Sequence, residues 1–184
     1  MGAMKLLELD IPVEYRWLYE RTDDGIVKYP DPVLRKRARP VSRMTPDLHA
    51  LIEHMLTTMR RAQGIGLAAP QVGVLLRVII IEAPEQPVRV VINPQILERS
   101  SEQVIGMEGC LSLPGLYGDV KRPEAILLRG LNKHGKPIQL QLKGIEARIA
   151  QHEIDHLDGI LFTDRVIPET LHWDVPDEGE QDEL

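Results

Sequence analysis

Apolar positions recur at two different periods along this chain, and those periods sort it into helices and strands. Across residues 45–61, Leu48, Leu51, Ile52, Met55, Leu56 and Met59 return every three or four positions, which predicts an amphipathic helix. Thr45 suits the N-cap, Pro46 the first helical position and Asp47 the positive end of the dipole. Residues 74–81 are an almost unbroken apolar, β-branched run, so a buried strand is expected. Residues 88–92 read as its neighbour, stopped at Asn93-Pro94. Residues 125–131 and 137–142 read as a hairpin around Asn132-Lys133-His134-Gly135. In its second arm Ile138, Leu140 and Leu142 alternate with Gln139, Gln141 and Lys143, which leaves one wet face.

From residue 144 the helical period returns. Ile145, Ile149, His152 and His156 form one stripe; Ala147, Ala150, Ile154 and Leu157 form another. Few positions remain for solvent, so this helix is expected to be largely buried and to stop at Gly159. Strands followed by a buried helix give an α+β class: antiparallel β-sheets packed around a buried C-terminal helix, plus one N-terminal amphipathic helix. Residues 1–25 read as an extension in which Tyr15, Trp17, Leu18 and Tyr19 could pack as a short helix. Residues 26–167 read as one domain, and 168–184 as an acidic, flexible tail carrying Asp177, Glu178, Glu180, Asp182 and Glu183.

Composition narrows the classes. The 184 residues suffice for a single domain with a real core, and 43% hydrophobic with 27% charged content is ordinary for a globular protein. A formal net charge of −6 argues against a broad nucleic-acid surface, so no direct nucleic-acid binding is expected. No apolar run reaches the roughly 20 residues that span a bilayer, and residues 1–10 read as neither a signal nor a transit peptide. The single cysteine, Cys110, rules out an internal disulfide, and a reducing cytoplasm is the natural reading.

The buried helix carries the chemistry. Gln151-His152-Glu153-Ile154-Asp155-His156 contains His-Glu-x-x-His, and residues four apart lie on one helix face. His152 and His156 can therefore aim at one metal ion, with Glu153 beside its water. The competing reading is a pair of core histidines bonded to neighbours. Two imidazoles need a third ligand, and Cys110 in Glu108-Gly109-Cys110-Leu111-Ser112 is an acceptable one for zinc or ferrous iron. An isolated cysteine is otherwise a small buried hydrophobe. Gly64-Ile65-Gly66-Leu67-Ala68-Ala69-Pro70-Gln71 lets backbone pass close to something and ends in an amide donor; it lacks the third glycine of a dinucleotide fingerprint. A zincin-like endopeptidase and a structural metal site remain as alternatives at this point.

Taken together, the segments 64–71, 108–112 and 151–156, in that order, resemble the peptide deformylase family, and residues 27–34 are similar to that family's start. The resemblance spans roughly residues 26–167. It implies a hydrolase that removes the formyl group from the N-terminal formyl-methionine of new bacterial polypeptides in the cytoplasm and releases formate. It implies Cys110, His152 and His156 as ligands of one divalent metal ion, Fe²⁺ with Ni²⁺, Co²⁺ or Zn²⁺ as replacements. Glu153 is then general base and acid, with Gln71 and the Leu111 backbone N–H as oxyanion donors. Ile65, Gly66, Glu108, Tyr117 and Ile149 fall along the implied substrate groove. Tyr117 stands where many members carry arginine, so peptide preference is expected to differ. The partner implied is the N-formylmethionyl nascent peptide, with a transient association with the ribosome; the acidic C-terminus departs from the basic terminal helix that docks some members there.

Overall fold

The N-terminal amphipathic helix forms where the apolar spacing requires it. In this computed structural model, which describes residues 8–174, a short helix α1 (Arg16–Glu20) follows a 3₁₀ turn at Val13–Tyr15 and precedes α2 (Pro46–Arg61). Thr45 Oγ1 accepts the Leu48 N–H at 3.1 Å, and Pro46 opens the helix. Strands β1 (Gly66–Ala68), β2 (Val78–Ile81), β3 (Arg89–Arg99), β4 (Gln103–Cys110), β5 (Leu113–Pro123), β6 (Ala125–Leu131) and β7 (Pro137–Lys143) follow. The described residues end with α3 (Gly144–Leu157) and β8 (His172–Trp173).

All strand pairings are antiparallel, in a five-stranded sheet of order β1-β2-β3-β6-β7 and a three-stranded sheet of order β4-β5-β8. Alternation along β2 and β3 divides the large sheet between two helices. Val78, Ile80, Val90 and Ile92 meet Leu48, Ile52, Met55 and Met59 of α2. Ile79, Ile81 and Val91 face Ala147, Ala150, Ile154 and Leu157 of α3. Both faces of β2 are covered, which accounts for its unbroken apolar run. A third cluster, Leu34, Leu113, Leu116, Val120 and Phe162, lies against β5. The β6–β7 hairpin has the expected wet face. Among the described residues, no helix is long and apolar enough to cross a membrane.

Two expectations about strands are corrected, and two long strands were not anticipated. The run 74–81 is not all strand: β2 begins at Val78, and Val74 and Leu76 are apolar because they pack on the α2 cluster. Tight turns, with Leu76 N–H to Val74 O and Val78 N–H to Leu76 O, occupy that stretch. β3 does not stop at Asn93-Pro94 but continues to Arg99. The register shifts between Ile92 and Gln95, Asn93 takes a φ of 52°, and its amide bonds both the N–H and the carbonyl of Val41. The proline is thus absorbed in a bulge rather than ending the strand. β4 and β5 have no counterpart in the sequence reading; Val104, Ile105 and Met107 of β4 are exposed, so its pattern does not alternate cleanly.

The flanks meet each other. Tyr15 and Leu18 of the N-terminal segment are buried, and β8, within the stretch read as tail, pairs with Leu116 and Tyr117 of β5. Most of the acidic run falls in residues 175–184, outside the described residues, as do residues 1–7.

Candidate active site

The β4–β5 hairpin and α3 bring a sulfur to two ring nitrogens. Cys110 closes β4 where the register shifts against β5, a local kink that re-aims a side chain. Its Sγ lies 3.3 Å from His156 Nε2, and one donor atom from each of Cys110, His152 and His156 falls within 4.8 Å of the others. His152 presents Nδ1 to Glu108 Oε2 at 2.9 Å, which leaves Nε2 for the cluster. Burial alone would lower the pKa of His152, but the Cys110 sulfur and the Glu108 carboxylate more than offset this and hold it well above its ordinary value. Burial, with His152 adding to it, pushes His156 well below. One sulfur and two imidazole nitrogens within bonding reach of a common point fit a divalent transition metal such as Fe²⁺ or Zn²⁺.

Behind the cluster stands a network that the sequence reading missed. Arg122, itself buried, donates to both oxygens of Glu108 at 2.6 and 2.9 Å and to Asp155 Oδ2 at 2.9 Å. Arg148 adds a 2.9 Å bond to Glu108, and Arg165 holds Asp155 at 2.7 and 2.8 Å. Although burial raises a carboxyl pKa, the Arg122 guanidinium and His152 hold Glu108 far below the usual range. The carboxylate of Glu108, expected along the substrate groove, is engaged by Arg122, Arg148 and His152. The available signal was Asp155, a carboxylate on a helix read as buried, which demands a cation nearby.

Glu153 faces the other way. It is 4% exposed, its Oε2 has no hydrogen-bond partner among the described residues, and burial pushes its carboxyl up to about 7. β1 runs against it: a Cβ on Gly66 would lie 2.5 Å from Glu153 Oε1 and 2.7 Å from Ile149 Cγ2. Only glycine permits that approach. Gln71 follows β1. Its Oε1 accepts the Ala68 N–H at 2.9 Å, which fixes the other end of the amide as donor. Nε2 then points to Ser112 Oγ at 3.2 Å and Cys110 Sγ at 3.6 Å.

Every expected site residue except His156 lines one cleft of about 900 Å³: Ile65, Gly66, Gln71, Glu108, Cys110, Leu111, Tyr117, Ile149, His152 and Glu153. His156, 1% exposed, lies behind the wall. Tyr117 packs its ring over Gly109, where a Cβ would sit 2.6 Å from ring carbon Cε1. Ile145, placed by periodicity in the histidine stripe, is instead half-exposed at the cleft.

The polypeptide deformylase family profile matches residues 24–171. A peptide deformylase of Desulforudis audaxviator is 49% identical over 140 residues, covering 76% of this chain and 91% of that protein. Among solved structures, the peptide deformylase of Thermotoga maritima superposes with a TM-score of 0.75 at 42% identity, over 78% of this chain and 97% of that one. A class I type b peptide deformylase from Acinetobacter baumannii, crystallised with Met-Ala-Ser bound, superposes at 0.75 with 40% identity, over 77% and 96%. The three motif segments, the donor cluster they assemble and these similarities lead to one assignment: the chain belongs to the polypeptide deformylase family, metal-dependent hydrolases that remove the N-terminal formyl group of polypeptides.

Proposed function

We propose that this chain deformylates N-formylmethionyl nascent peptides of the bacterial cytoplasm, with the roles of its residues as follows. The observation that carries the reading is the convergence of Cys110, His152 and His156 beside the buried Glu153. Cys110 Sγ and the two imidazoles would hold one divalent ion, Fe²⁺ by family resemblance, with Ni²⁺, Co²⁺ or Zn²⁺ as replacements. That ion, when bound, supplies Lewis acidity to a water and to the formyl oxygen.

Glu153 accepts a proton from the attacking water and then delivers it to the leaving amine. A carboxyl pushed up to about 7 is matched to both transfers near neutral pH. Gln71 Nε2, held in donor orientation by the Ala68 N–H, and the Leu111 N–H stabilise the oxygen that gains charge as the carbon becomes tetrahedral. Glu108 fixes the tautomer and rotation of His152, as a carboxylate behind a ligand imidazole does. β1 is an edge of the large sheet, so Ile65 and Gly66 can pair with an extended peptide. Tyr117 and Ile149 line the same cleft.

A formate-release assay on formyl-Met-Ala-Ser, run beside unformylated Met-Ala-Ser and an internal-cleavage assay on a longer blocked peptide, tests this. Formate from the first substrate alone is the expected result. Cleavage of the internal bond without formate release would instead assign an endopeptidase.

A further inference from the structure

The wall of the cleft contains residues from outside the family match. Trp17, Leu18 and Arg21 line it, yet the matched region begins at residue 24. α1 is anchored there on its own account. Tyr15 and Leu18 are buried, and Tyr15 and Tyr19 hold the Trp173 ring at centroid distances of 5.0 and 6.2 Å. Trp173 lies beyond the other end of the match and pairs with Leu116 of β5. The two flanks therefore clamp one another across β5, and His172 brings its ring within 6.1 Å of Tyr117.

The clamp presents one large aromatic surface: Trp17 is 43% exposed in the cleft wall. Its neighbours there are charged, among them Arg21, which is bonded to Asp23 at 3.2 and 3.3 Å, and Lys28, which is paired with Asp24. Glu153 and His152 lie buried on the floor while Trp17 stands at the rim. A cleft of about 900 Å³ is near the top of the roughly 300–1,000 Å³ range for whole small-molecule ligands, so it has room for several residues. The reacting formyl group is at the first residue, so whatever reaches the rim is the chain that follows it.

We infer that α1, clamped by Trp173, forms a subsite for the substrate peptide beyond its second residue, with Trp17 receiving an apolar or aromatic side chain there. This rests on the cleft being a formyl-peptide site. Trp17 is a specificity-determining residue in this scheme, since it touches substrate far from the reacting carbon. Its contribution is to binding and is equal in ground and transition states, so it acts through KM.

The test uses the metal-loaded full chain and two substrates, formyl-Met-Ala and formyl-Met-Ala-Phe-Phe. In Trp17→Ala the ratio of kcat/KM for the tetrapeptide over the dipeptide should fall about tenfold, the size of a modest aromatic hot spot, through a raised KM. Trp17→Phe should recover most of that ratio, and Tyr15→Ala, which releases the clamp, should reproduce the loss. Calorimetric binding of the deformylated product Met-Ala-Phe-Phe should weaken about tenfold in Trp17→Ala as well. An unchanged ratio, or an equal loss on both substrates, overturns the subsite. Should the parent chain release no formate at all, the reaction assignment fails, and the calorimetric comparison still decides whether Trp17 binds peptide.

Discussion

α2 and α3 pack on opposite faces of the same five-stranded sheet, yet they are built on different terms. α2 buries Leu48, Ile52, Met55 and Met59 and leaves Glu53, His54 and Arg60 in solvent. α3 is buried without a break from Ile149 to Leu157, and that stretch includes Gln151, His152, Glu153, Asp155 and His156. The first helix needs only the sheet to be stable. The second carries two carboxylates and two imidazoles into a dry interior, and each needs a partner brought from elsewhere in the chain. Packing alone explains α2, whereas α3 makes sense only with Arg122, Cys110 and a cation included.

The sharpest break in that comparison comes from Glu153→Ala. Loss of a positioned proton-transfer group should lower kcat by about 10²–10⁴-fold while metal content stays at the parent level. Formate release paired with metal analysis of the same sample checks it. Comparable turnover in the variant would remove Glu153 from the chemistry and leave α3 as a metal-holding helix only.

Arg122→Ala should be the most damaging change to stability. It removes the buried guanidinium that bridges Glu108 and Asp155 and leaves each with a single, less buried cation, Arg148 or Arg165, which should cost up to about 3–5 kcal/mol. Met55→Ala, at the centre of the α2 face, should cost about 2–5 kcal/mol through a cavity. Urea unfolding of both separates the two designs. Arg122→Ala should also weaken metal retention, because Glu108, held then by Arg148 alone, would orient His152 less firmly, whereas Met55→Ala should leave it intact.

The pH dependence of the metal-free chain sharpens the same point. Glu108 sits far below its ordinary value near 4.5 when folded. A carboxyl depressed in the folded state contributes stability that is complete above that ordinary value and fades as pH falls below it toward the folded one. The stability gap between the parent chain and Glu108→Gln should therefore be widest near neutral pH and narrow below about 4.5. No comparable narrowing is expected between the parent and Met55→Ala.

The contrast also explains what the sequence could show. The period of α2 and its Thr45 cap were legible because local rules fix them. The His-Glu-x-x-His stripe was legible because spacing alone puts its members on one face. Arg122 was not, since its importance comes from three elements meeting around it. The strand through Asn93-Pro94 was misread because the Asn93 amide, bonded to Val41 more than fifty positions away in sequence, supports the bulge. β4 escaped notice because Val104, Ile105 and Met107 are exposed, Met107 at the cleft, and are not set into a core.

The smallest expected effect tests the claim that α2 stands on local rules. Thr45 Oγ1 satisfies one of the N–H groups that a helix start leaves without a partner inside the helix. Thr45→Ala should cost about 1 kcal/mol, and Thr45→Ser should cost less, because the hydroxyl acceptor survives. Neither change reaches the cleft, so kcat/KM on formyl-Met-Ala should hold while the urea midpoint falls. If the cap variant instead lowered turnover, the two faces of the large sheet would be mechanically coupled through β1 and β2. α2 would then have to be counted as support for the floor on which Glu153 and Gly66 meet.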